Sequence, residues 1–467
     1  MRRQSVRWGS EAQATHCREG EVGHNVLLEG KMEDTQRSPT ISTQLQRIAE
    51  QAARYPERTF TSLAHLIDVD MLREAFCRTH KDRAPGVDGV TAEQYAEHLE
   101  ENLAELHTRL RNQRYNAPPV KRAWVDKDDG SQRPLGMPVF EDKIVQRAAS
   151  MVMNAVYEQD FYDFSHGFRE KHSPHQALKE LREKCYKLNI NWIVDADVTG
   201  FFDNLDHGLI RKFIRKRVND GGLLRLIGKW LNAGVLDGEE LYYPDKGSPQ
   251  GGVISPLIAN IFLHYVLDEW YAEVVKPRLR GRSFLIRFAD DFVIGCEFEE
   301  DARLIMAVLP KRFGRYKLAI HPEKTRLIEF GNPDQRKGQG DEPNTFDFLG
   351  FTHYWAKSRR GYWVMKRRTV GKRLRRALKA LWRWCHYNRH MNLKEQHRIL
   401  CAKLHGHYNY YGIRSNYRQL WAVWQRVLRA WRYWLGKRHR NGKITLARYD
   451  KLLETYPLPR PRIVHNI

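Results

Sequence analysis

Long apolar runs and paired cysteines are both missing from the sequence. No run of apolar residues approaches the roughly 20 needed to span a bilayer, and no apolar segment of a signal peptide follows Met1. The cysteines are scattered without a Cys-x-x-Cys pair, at Cys17, Cys77, Cys185, Cys296, Cys385 and Cys401. These absences argue against a membrane protein, a disulfide framework and a zinc site, and they fit the reducing cytoplasm.

Acidic residues are nearly missing from the C-terminal third of the chain, where Glu395 is the only acid between Trp355 and Asp450. The clustered cations there are Lys366, Arg367, Arg368, Lys372, Arg373, Arg375, Arg376, Lys379 and Arg383. The net charge of the whole chain is +23. So many like charges favour a polyanionic partner, and nucleic acid fits better than a membrane surface. We predict that these cations bind RNA phosphates.

Two adjacent carboxylates, Asp290 and Asp291, lie between the apolar runs Phe284–Phe288 and Phe292–Ile294. The pattern predicts a buried β-hairpin with both acids at its tip, although Ala-Asp-Asp is a poor turn sequence. Two acids beside hydrophobic strands repel each other and resist desolvation, so a bound cation would compensate them. A solvated turn that happens to contain two aspartates is the alternative at this point.

A third acid lies at the end of another predicted strand, Asn191–Val198. Asp195 and Asp197 are two residues apart and therefore share one face of that strand. A core strand does not carry carboxylates inward without a reason, so at least one of them should coordinate something. Together with the hairpin acids, Asp197 would offer the hard oxygen ligands that Mg²⁺ prefers. Three carboxylates suit phosphoryl transfer with two metal ions.

Two further segments could bind phosphate. Lys127 and Arg133 flank a predicted hairpin turn and could converge on one phosphate, although two unrelated surface cations are an equally good interpretation. The loop Lys246–Gly252 precedes an apolar helix predicted over Val253–Leu267 and could bring backbone amides against a phosphate or a base pair. An ordinary turn at the start of a helix is the alternative there.

The rest of the chain is long and apolar enough for two or three packed units. Helices are predicted at Asp70–Arg78, Ala92–Asn112, Glu141–Tyr157, Pro174–Lys187 and Glu300–Tyr316, and strands at Val120–Val125 and Phe346–Phe351. After Trp355 two basic helices carry apolar stripes, and the tryptophans of the second stripe, Trp421, Trp424 and Trp431, are interpreted as core. Between these helices Tyr408, Tyr410 and Tyr411 are predicted to contact splayed RNA bases.

These segments resemble the motifs of group II intron-encoded reverse transcriptases, in consistent order from about Leu45 to the C-terminus. Phe288–Asp291 is similar to the aspartate motif of reverse transcriptases, and Asp197–His207 to the first catalytic block of the intron-encoded family. The other matching segments are Pro85–Gly89, Arg133–Pro138, Ser248–Pro256, Pro322–Thr325, Phe348–Phe351 and His407–Gly412. Any one of these motifs would be weak evidence, whereas the ordered set is specific.

The resemblance implies an α+β right-hand polymerase with fingers and palm built on antiparallel sheet, followed by an all-helical thumb or maturase domain. The expected divisions are a flexible leader (1–40), an N-terminal extension with the start of the fingers (41–115), fingers and palm (116–355), thumb or maturase X domain (356–436) and a short basic C-terminal segment (437–467). Relatives often carry a His/Cys-rich endonuclease at the C-terminal end. The sequence here ends without Cys pairs, so we expect no second-strand cleavage by this chain.

The resemblance also implies roles for individual residues. Asp197, Asp290, Asp291 and the backbone carbonyl of Val198 are the expected ligands of two Mg²⁺ ions. Phe202 is expected to exclude a ribose 2′-hydroxyl. Lys127, Arg133 and Gln250 are expected to hold the incoming nucleotide, and Lys324 to act as general acid for pyrophosphate.

The implied activity is RNA-directed DNA synthesis, together with binding of a group II intron RNA to promote its splicing and retrohoming. The expected partners are that intron RNA, an RNA template with a DNA primer, dNTPs and target DNA, with no membrane and no small-molecule cofactor. The expected location is the cytoplasm, in association with the nucleoid if the source is bacterial. A catalytically silent maturase acting as an RNA chaperone is one alternative. A free-standing reverse transcriptase used in repair or defence is another.

Overall fold

The computed structural model describes residues 40–126, 132–247, 251–333, 344–439 and 442–467, with the backbone alone at Asp126 and Arg133. Lys127, Gln250 and residues 1–39 of the predicted leader lie outside the described residues. The described helices do not include one that is both long enough and apolar enough to cross a bilayer.

The N-terminal part is helical. Its helices are α1 (Ile41–Arg54), α2 (Val69–Arg78), α3 (Ala92–Ala96) and α4 (Leu99–Arg111). The single helix predicted over Ala92–Asn112 is wrong, because the chain breaks between α3 and α4. At the break the side-chain amide of Asn102 donates to the Tyr95 carbonyl at 3.0 Å. That carbonyl would otherwise accept the next backbone N–H of a continuous helix.

A mixed sheet and four helices follow. The sheet has the order β2–β1–β4–β5, from strands β1 (Val120–Asp126), β2 (Gln132–Met137), β4 (Val235–Asp237) and β5 (Glu240–Tyr242). Its neighbours pair antiparallel except β1 and β4, which run parallel over two residue pairs. The helices are α5 (Phe140–Tyr157), α6 (Pro174–Lys187), α7 (His207–Arg217) and α8 (Gly221–Leu231). Asp206 and Asp220 accept the N-terminal amides of α7 and α8.

A four-stranded antiparallel sheet holds the predicted aspartate hairpin. Its order is β6–β7–β3–β8, from strands β3 (Trp192–Ala196), β6 (Ser283–Phe288), β7 (Asp291–Cys296) and β8 (Arg326–Glu329). Side chains alternate between two cores, so that Phe292 and Ile294 pack on one face and Val293 on the other. The first face is covered by α5, by α9 (Ser255–Leu263) with its wider helical continuation to Val275, and by α10 (Glu299–Gly314). Helix α6 covers the second face.

A small antiparallel sheet joins this region to the C-terminal helices. It consists of β9 (Phe346–Phe348), β10 (Phe351–Lys357) and β11 (Trp363–Thr369) in the order β11–β10–β9. The single strand predicted over Phe346–Phe351 is wrong, because Leu349 and Gly350 form a turn with φ of +49° and +80°. The predicted division at 355/356 falls inside β10. The region expected to be all-helical therefore begins with a strand.

The remaining helices surround a third core. They are α11 (Gly371–Tyr387), α12 (Leu393–Tyr411), α13 (Tyr417–Gly436) and α14 (Leu446–Thr455). Trp431 is buried in this core as predicted, whereas Trp421 at the start of the same stripe is exposed. The α+β class with antiparallel sheet is confirmed.

Candidate active site

The register of β3 and β7 brings the predicted acids together. Ala196 pairs with Phe292 at the end of the ladder, so the next residues, Asp197 and Asp291, lie across from each other. Asp291 is the first residue of β7. Asp290 lies just before it, as the second residue of the two-residue turn, Ala289–Asp290, that joins β6 to β7. Three carboxylates thus occupy the adjoining ends of two neighbouring strands.

The turn before Asp291 has an unusual backbone. Ala289 has φ of +58°, in the left-handed region that side-chain-bearing residues seldom adopt. Its carbonyl accepts a hydrogen bond of 3.0 Å from the guanidinium of Arg287. A Cβ at Gly167 would lie 2.1 Å from the Ala289 amide nitrogen, so only glycine allows that segment to pack against the turn. The poor turn sequence noted above is therefore held by contacts from outside the hairpin.

Arg287 is itself fixed by a buried polar network. Its guanidinium makes two bonds to the carboxylate of Asp268, at 2.8 and 2.5 Å, and a third of 3.0 Å to the Asn260 side chain. The Asn260 amide donates in turn to the Gly167 carbonyl at 2.7 Å. Asp268 and Arg287 are fully buried. This network ties the turn to the wide helix that continues α9.

Negative charge accumulates around Asp291. The residue remains accessible at the mouth of a cleft, yet the protein packed around its carboxyl raises its pKa to about 7, with the charges of Asp290 and Asp197 adding to the effect. Burial likewise raises the pKa of Asp195 to about 6, opposed by Arg326, whose guanidinium lies 3.3 Å from it. Carboxyls in this state gain from a nearby cation.

Lys324 forms an ion pair with Asp197, with its Nζ 3.3 Å from a carboxylate oxygen. The segment that carries it bonds directly to the end of β3. The His321 amide donates to the Asp197 carbonyl, and the Asp197 amide donates to the Thr325 hydroxyl. These bonds use the amide and carbonyl of Asp197 but not the carbonyl of Val198.

Asp197 and Asp291 line a cleft of about 420 Å³. Its charged lining residues are Asp195, Asp197, Asp291, Glu323, Lys324, Arg326, Asp347 and Arg373. Arg373 is contributed by α11, and its guanidinium lies close to the turn at Gly350. The cleft is therefore formed jointly by the four-stranded sheet, β9 and the first C-terminal helix.

The donor set suits a hard divalent cation. Among the described residues, no three His, Cys, Asp or Glu side chains already stand at the spacing of a metal centre. The clustered carboxyl oxygens and the raised pKa of Asp291 nevertheless fit Mg²⁺, which prefers oxygen ligands and completes its shell with water and phosphate. Asp197, Asp290, Asp291 and the Val198 carbonyl would hold it.

Only part of the predicted nucleotide site falls on described side chains. Phe202 is half-buried in a short helical turn, Phe201–Asp203, and its ring meets Phe201 edge-on at 5.3 Å. A Cβ at Gly247 would lie 3.2 Å from the Phe202 carbonyl, so the loop before the predicted glutamine passes directly over this turn. Arg133 pairs with Val125 through its backbone.

The predicted RNA-binding cations are divided between two elements. Lys372, Arg373, Arg375, Arg376, Lys379 and Arg383 lie exposed on α11. Lys366, Arg367 and Arg368 lie on β11 instead. The prediction for Arg367 is wrong in this structure, because its side chain is buried and donates to the Leu178 carbonyl at 3.1 Å. Desolvation lowers its pKa to about 10.

The predicted base-contacting loop is also corrected. Residues 405–411 form the last turns of α12, and Gly412 caps the C-terminus of that helix. Tyr408 is buried and donates to the Pro459 carbonyl at 3.1 Å, so it is a core residue and not a surface for RNA. Tyr410 and Tyr411 are half-buried against Phe351. Leu400, Leu404 and Tyr408 are spaced four residues apart, as on one face of a helix. The interpretation from aromatic content did not use this spacing.

Arg287, Asp268 and Asn260 were not singled out from the sequence. The available signal was a charged residue beside or inside each of two apolar runs: Arg287 lies inside Phe284–Phe288, and Asp268 directly follows Val253–Leu267. Buried charges in such runs are paired, and each of these two is the other's partner.

Comparison with known proteins relates the chain to reverse transcriptases. Residues 125–353 match the family model described as reverse transcriptase (RNA-dependent DNA polymerase). The chain is 31% identical over 329 residues to Protein YkfC of Escherichia coli (strain K12), covering 62% of this chain and 84% of that protein. It is 31% identical over 304 residues to the group II intron-encoded protein LtrA of Lactococcus lactis subsp. cremoris, covering 62% of this chain and 50% of LtrA. It is 30% identical over 313 residues to the putative COX1/OXI3 intron 1 protein of Saccharomyces cerevisiae, covering 57% of this chain and 37% of that protein.

A polymerase-type cleft with paired aspartates on adjacent strands, within a segment that matches this family model, defines a reverse transcriptase domain. More narrowly, the chain belongs to the family of group II intron reverse transcriptases and maturases. The resemblance seen in the sequence is confirmed. The chain spans half the length of LtrA and less of the yeast protein.

Proposed function

We propose that this chain is an RNA-directed DNA polymerase that also binds a group II intron RNA and promotes its splicing and retrohoming. The observation that supports it most is the register of β3 and β7, which sets Asp197 across from Asp291 at the lining of an open cleft, with Asp290 in the turn next to Asp291. Clustered carboxyls of raised pKa are costly to keep together without a cationic ligand. A polymerase site gives them one.

The chain's own groups would divide the reaction among them. Asp197, Asp290 and Asp291 would hold two Mg²⁺ ions, which, when bound, supply positive charge to the attacking hydroxyl and the leaving pyrophosphate. Lys324, now 3.3 Å from Asp197, would donate its Nζ proton to the pyrophosphate. Phe202 would exclude a 2′-hydroxyl. Lys127, Arg133 and Gln250 would orient the triphosphate and base.

The exposed cations of α11 support the intron-RNA part of the proposal. Arg375, Arg376, Lys379 and Arg383 lie on the same helix as Arg373, which lines the catalytic cleft. A nucleic acid held on α11 would therefore continue into that cleft. Action on intron RNA and target DNA would keep the protein with the nucleoid in a bacterial cell.

Primer extension tests the polymerase assignment. The assay uses an RNA template, a DNA primer, dNTPs and Mg²⁺, and compares the wild type with Asp290→Ala and the matched surface variant Asp450→Ala. We expect Asp290→Ala to lose at least a hundredfold in rate and Asp450→Ala to keep the wild-type rate. Equal rates for wild type and Asp290→Ala would remove the site assignment. An inactive wild type that still promotes intron splicing would replace the polymerase with a silent maturase.

A further inference from the structure

A second cavity, with a basic lining, lies between α7, α8 and the start of β4. It encloses about 820 Å³ and is lined by Arg211, Arg215, Arg225 and Lys229 together with asparagines and Tyr243. Among the described residues that line it, none is acidic. The charge of this cavity is therefore of one sign, in contrast to the catalytic cleft, where acids and cations mix.

Three of these guanidinium groups have no partner among the residues that the structure describes. Within the described part of the chain, Arg211, Arg215 and Arg225 form no recorded ion pair or hydrogen bond. Arg217, which lies on α7 with Arg211 and Arg215, does have partners in the fold. It is buried, pairs with Asp160 at 2.8 Å and donates to the Arg58 carbonyl at 2.7 Å. Unpaired like charges around one concavity raise its positive potential and attract an anion.

The neutral groups of the cavity suit nucleobases. Asn219 and Asn232 are exposed and offer both hydrogen-bond donors and acceptors. Tyr243 is 67% exposed, and its ring lies against Gly234, where a Cβ would sit 3.0 Å from ring atom Cε1. One side of the ring thus lies against backbone while most of the side chain is open. Cations combined with an open aromatic ring are how proteins bind single-stranded nucleic acid without sequence preference.

A neighbouring cavity of about 780 Å³ leads from this site toward the candidate active site. The two share Ala233 as a lining residue. The second cavity has a mixed charge, with Arg122, Lys246 and Lys317 alongside Asp203, Asp206 and Asp245, and it also includes Gly247. Gly247 is the residue packed against the carbonyl of Phe202. The second cavity therefore reaches from the first cavity to the turn that carries Phe202.

We propose that the cavity lined by Arg211, Arg215, Arg225 and Tyr243 binds an unpaired RNA strand outside the catalytic cleft. The proposal rests on the proposed polymerase function for its choice of RNA. A cavity of this size between two helices takes a few unpaired nucleotides, whereas duplex RNA is recognised over many base pairs of its grooves. The strand is either the single-stranded part of the template or a loop of the intron RNA, which present the same phosphates and bases.

Binding measurements on a charge-reversal variant test the site. Arg211→Glu combined with Arg225→Glu is compared with the wild type and with Lys276→Glu combined with Arg280→Glu, an exposed pair of equal charge change that lies outside the cavity. The probes are a primer–template with an RNA overhang of roughly 12 nucleotides, the same duplex with a minimal overhang, and an unprimed intron RNA. We expect the cavity variant to lose tenfold or more in affinity for the long overhang or for the unprimed RNA. We expect a change of less than about twofold for the minimal overhang.

The salt dependence and a neutral variant separate a site from a general charge effect. The slope of log affinity against log salt should fall by more than about one in the cavity variant, since single strands release about 0.7 counterions per phosphate neutralised. Tyr243→Ala should weaken the same probe with little change in slope, because it removes stacking and no charge. Loss with the long overhang alone identifies the template as the ligand, and loss with the unprimed RNA identifies the intron.

Two results would overturn the proposal: equal losses in the cavity and control variants, or unchanged affinity of the cavity variant for both RNA probes. Far-UV circular dichroism and thermal unfolding verify that the variants fold. Extension of the minimal-overhang primer by the cavity variant should stay at the wild-type rate. If no form of the protein extends any primer, the polymerase assignment fails, while the comparison of RNA affinities still decides this site.

Discussion

The guanidinium of Arg287 and the carboxylate of Asp268 form a fully buried, two-bonded ion pair directly behind the hairpin turn that carries Asp290. Arg287 also donates to the carbonyl of Ala289, the left-handed residue of that turn. Burial raises the pKa of Asp268, and Arg287 opposes the rise. The pair therefore joins the stability of the sheet to the position of the candidate catalytic acids.

Removing one partner of this pair should be costly. Arg287→Met leaves Asp268 buried without its cation, which typically destabilises a protein by about 3–5 kcal/mol. The free energy of unfolding is measured by urea denaturation. Arg303→Met, on an exposed pair with Glu299, is the control and should change it by less than about 1 kcal/mol.

The double variant Arg287→Met with Asp268→Leu separates stability from positioning. Replacing both charges should recover part of the lost stability, because neither partner is then left unpaired. Primer extension should stay impaired, since the bond to the Ala289 carbonyl is still missing. Full recovery of both quantities would show that the turn does not depend on Arg287.

The acids of the site were predictable because their signal is local. The apolar runs on either side of Asp290 and Asp291 indicated the hairpin, and the spacing of Asp195 and Asp197 indicated a shared face. Pro174–Lys187 was predicted with the bounds it has in the structure, because Ser173 caps it and Pro174 occupies its first turn. Such elements are specified by residues a few positions apart.

Other features depend on partners distant in sequence. The burial of Arg367 requires the Leu178 carbonyl, which lies 189 positions away. The role of Tyr408 requires the C-terminal segment at Pro459. Neither partner leaves a trace in the local pattern, so basic composition and aromatic content suggested a nucleic-acid surface where the fold uses the residues for packing. The pairing of Asp268 with Arg287 was likewise invisible to spacing.

The pH dependence of stability should report on Asp142. This carboxyl is buried in α5 and accepts a hydrogen bond from the Tyr115 hydroxyl, and burial raises its pKa to about 7 from an ordinary 3.8, with Glu141 and Asp88 adding to the rise. Because the pKa is raised in the folded state, the contribution of protonated Asp142 to the free energy of unfolding is complete below about pH 4. It is lost as the pH rises through 7. A pKa shift of this size corresponds to a change of about 4 kcal/mol in the free energy of unfolding.

Asp142→Asn removes that titration. We expect the variant's free energy of unfolding to fall less between pH 5 and pH 8 than that of the wild type, as measured by urea denaturation at each pH. Asp163→Asn, at an exposed position, should keep the wild-type dependence. Parallel curves for Asp142→Asn and the wild type would show that Asp142 does not titrate in this range.

Sugar discrimination should depend on Phe202. Its half-buried ring sits on the turn that follows Asp197 and is packed edge-on against Phe201. Phe202→Val shortens the side chain on the proposed path of the ribose, so incorporation of ribonucleotides should rise at least tenfold relative to dNTPs. Single-nucleotide extension with each substrate measures the ratio. Phe201→Leu is the neighbouring control and should alter stability more than discrimination, because Phe201 is in the core. An unchanged ratio in Phe202→Val would move the discrimination to another residue.

The two kinds of cation in the basic segment should separate experimentally. Arg375→Gln with Lys379→Gln removes two exposed charges from α11, and RNA affinity and its salt slope should both fall while unfolding changes by less than about 1 kcal/mol. Arg367→Gln removes a buried guanidinium from β11, and it should instead destabilise the protein, because the Leu178 carbonyl loses its donor and the space is left incompletely filled. For both variants, filter binding at several salt concentrations measures the RNA affinity and its salt slope. Urea denaturation measures the free energy of unfolding. If Arg367→Gln weakens RNA binding without a loss of stability, then Arg367 reaches RNA in a conformation other than this one.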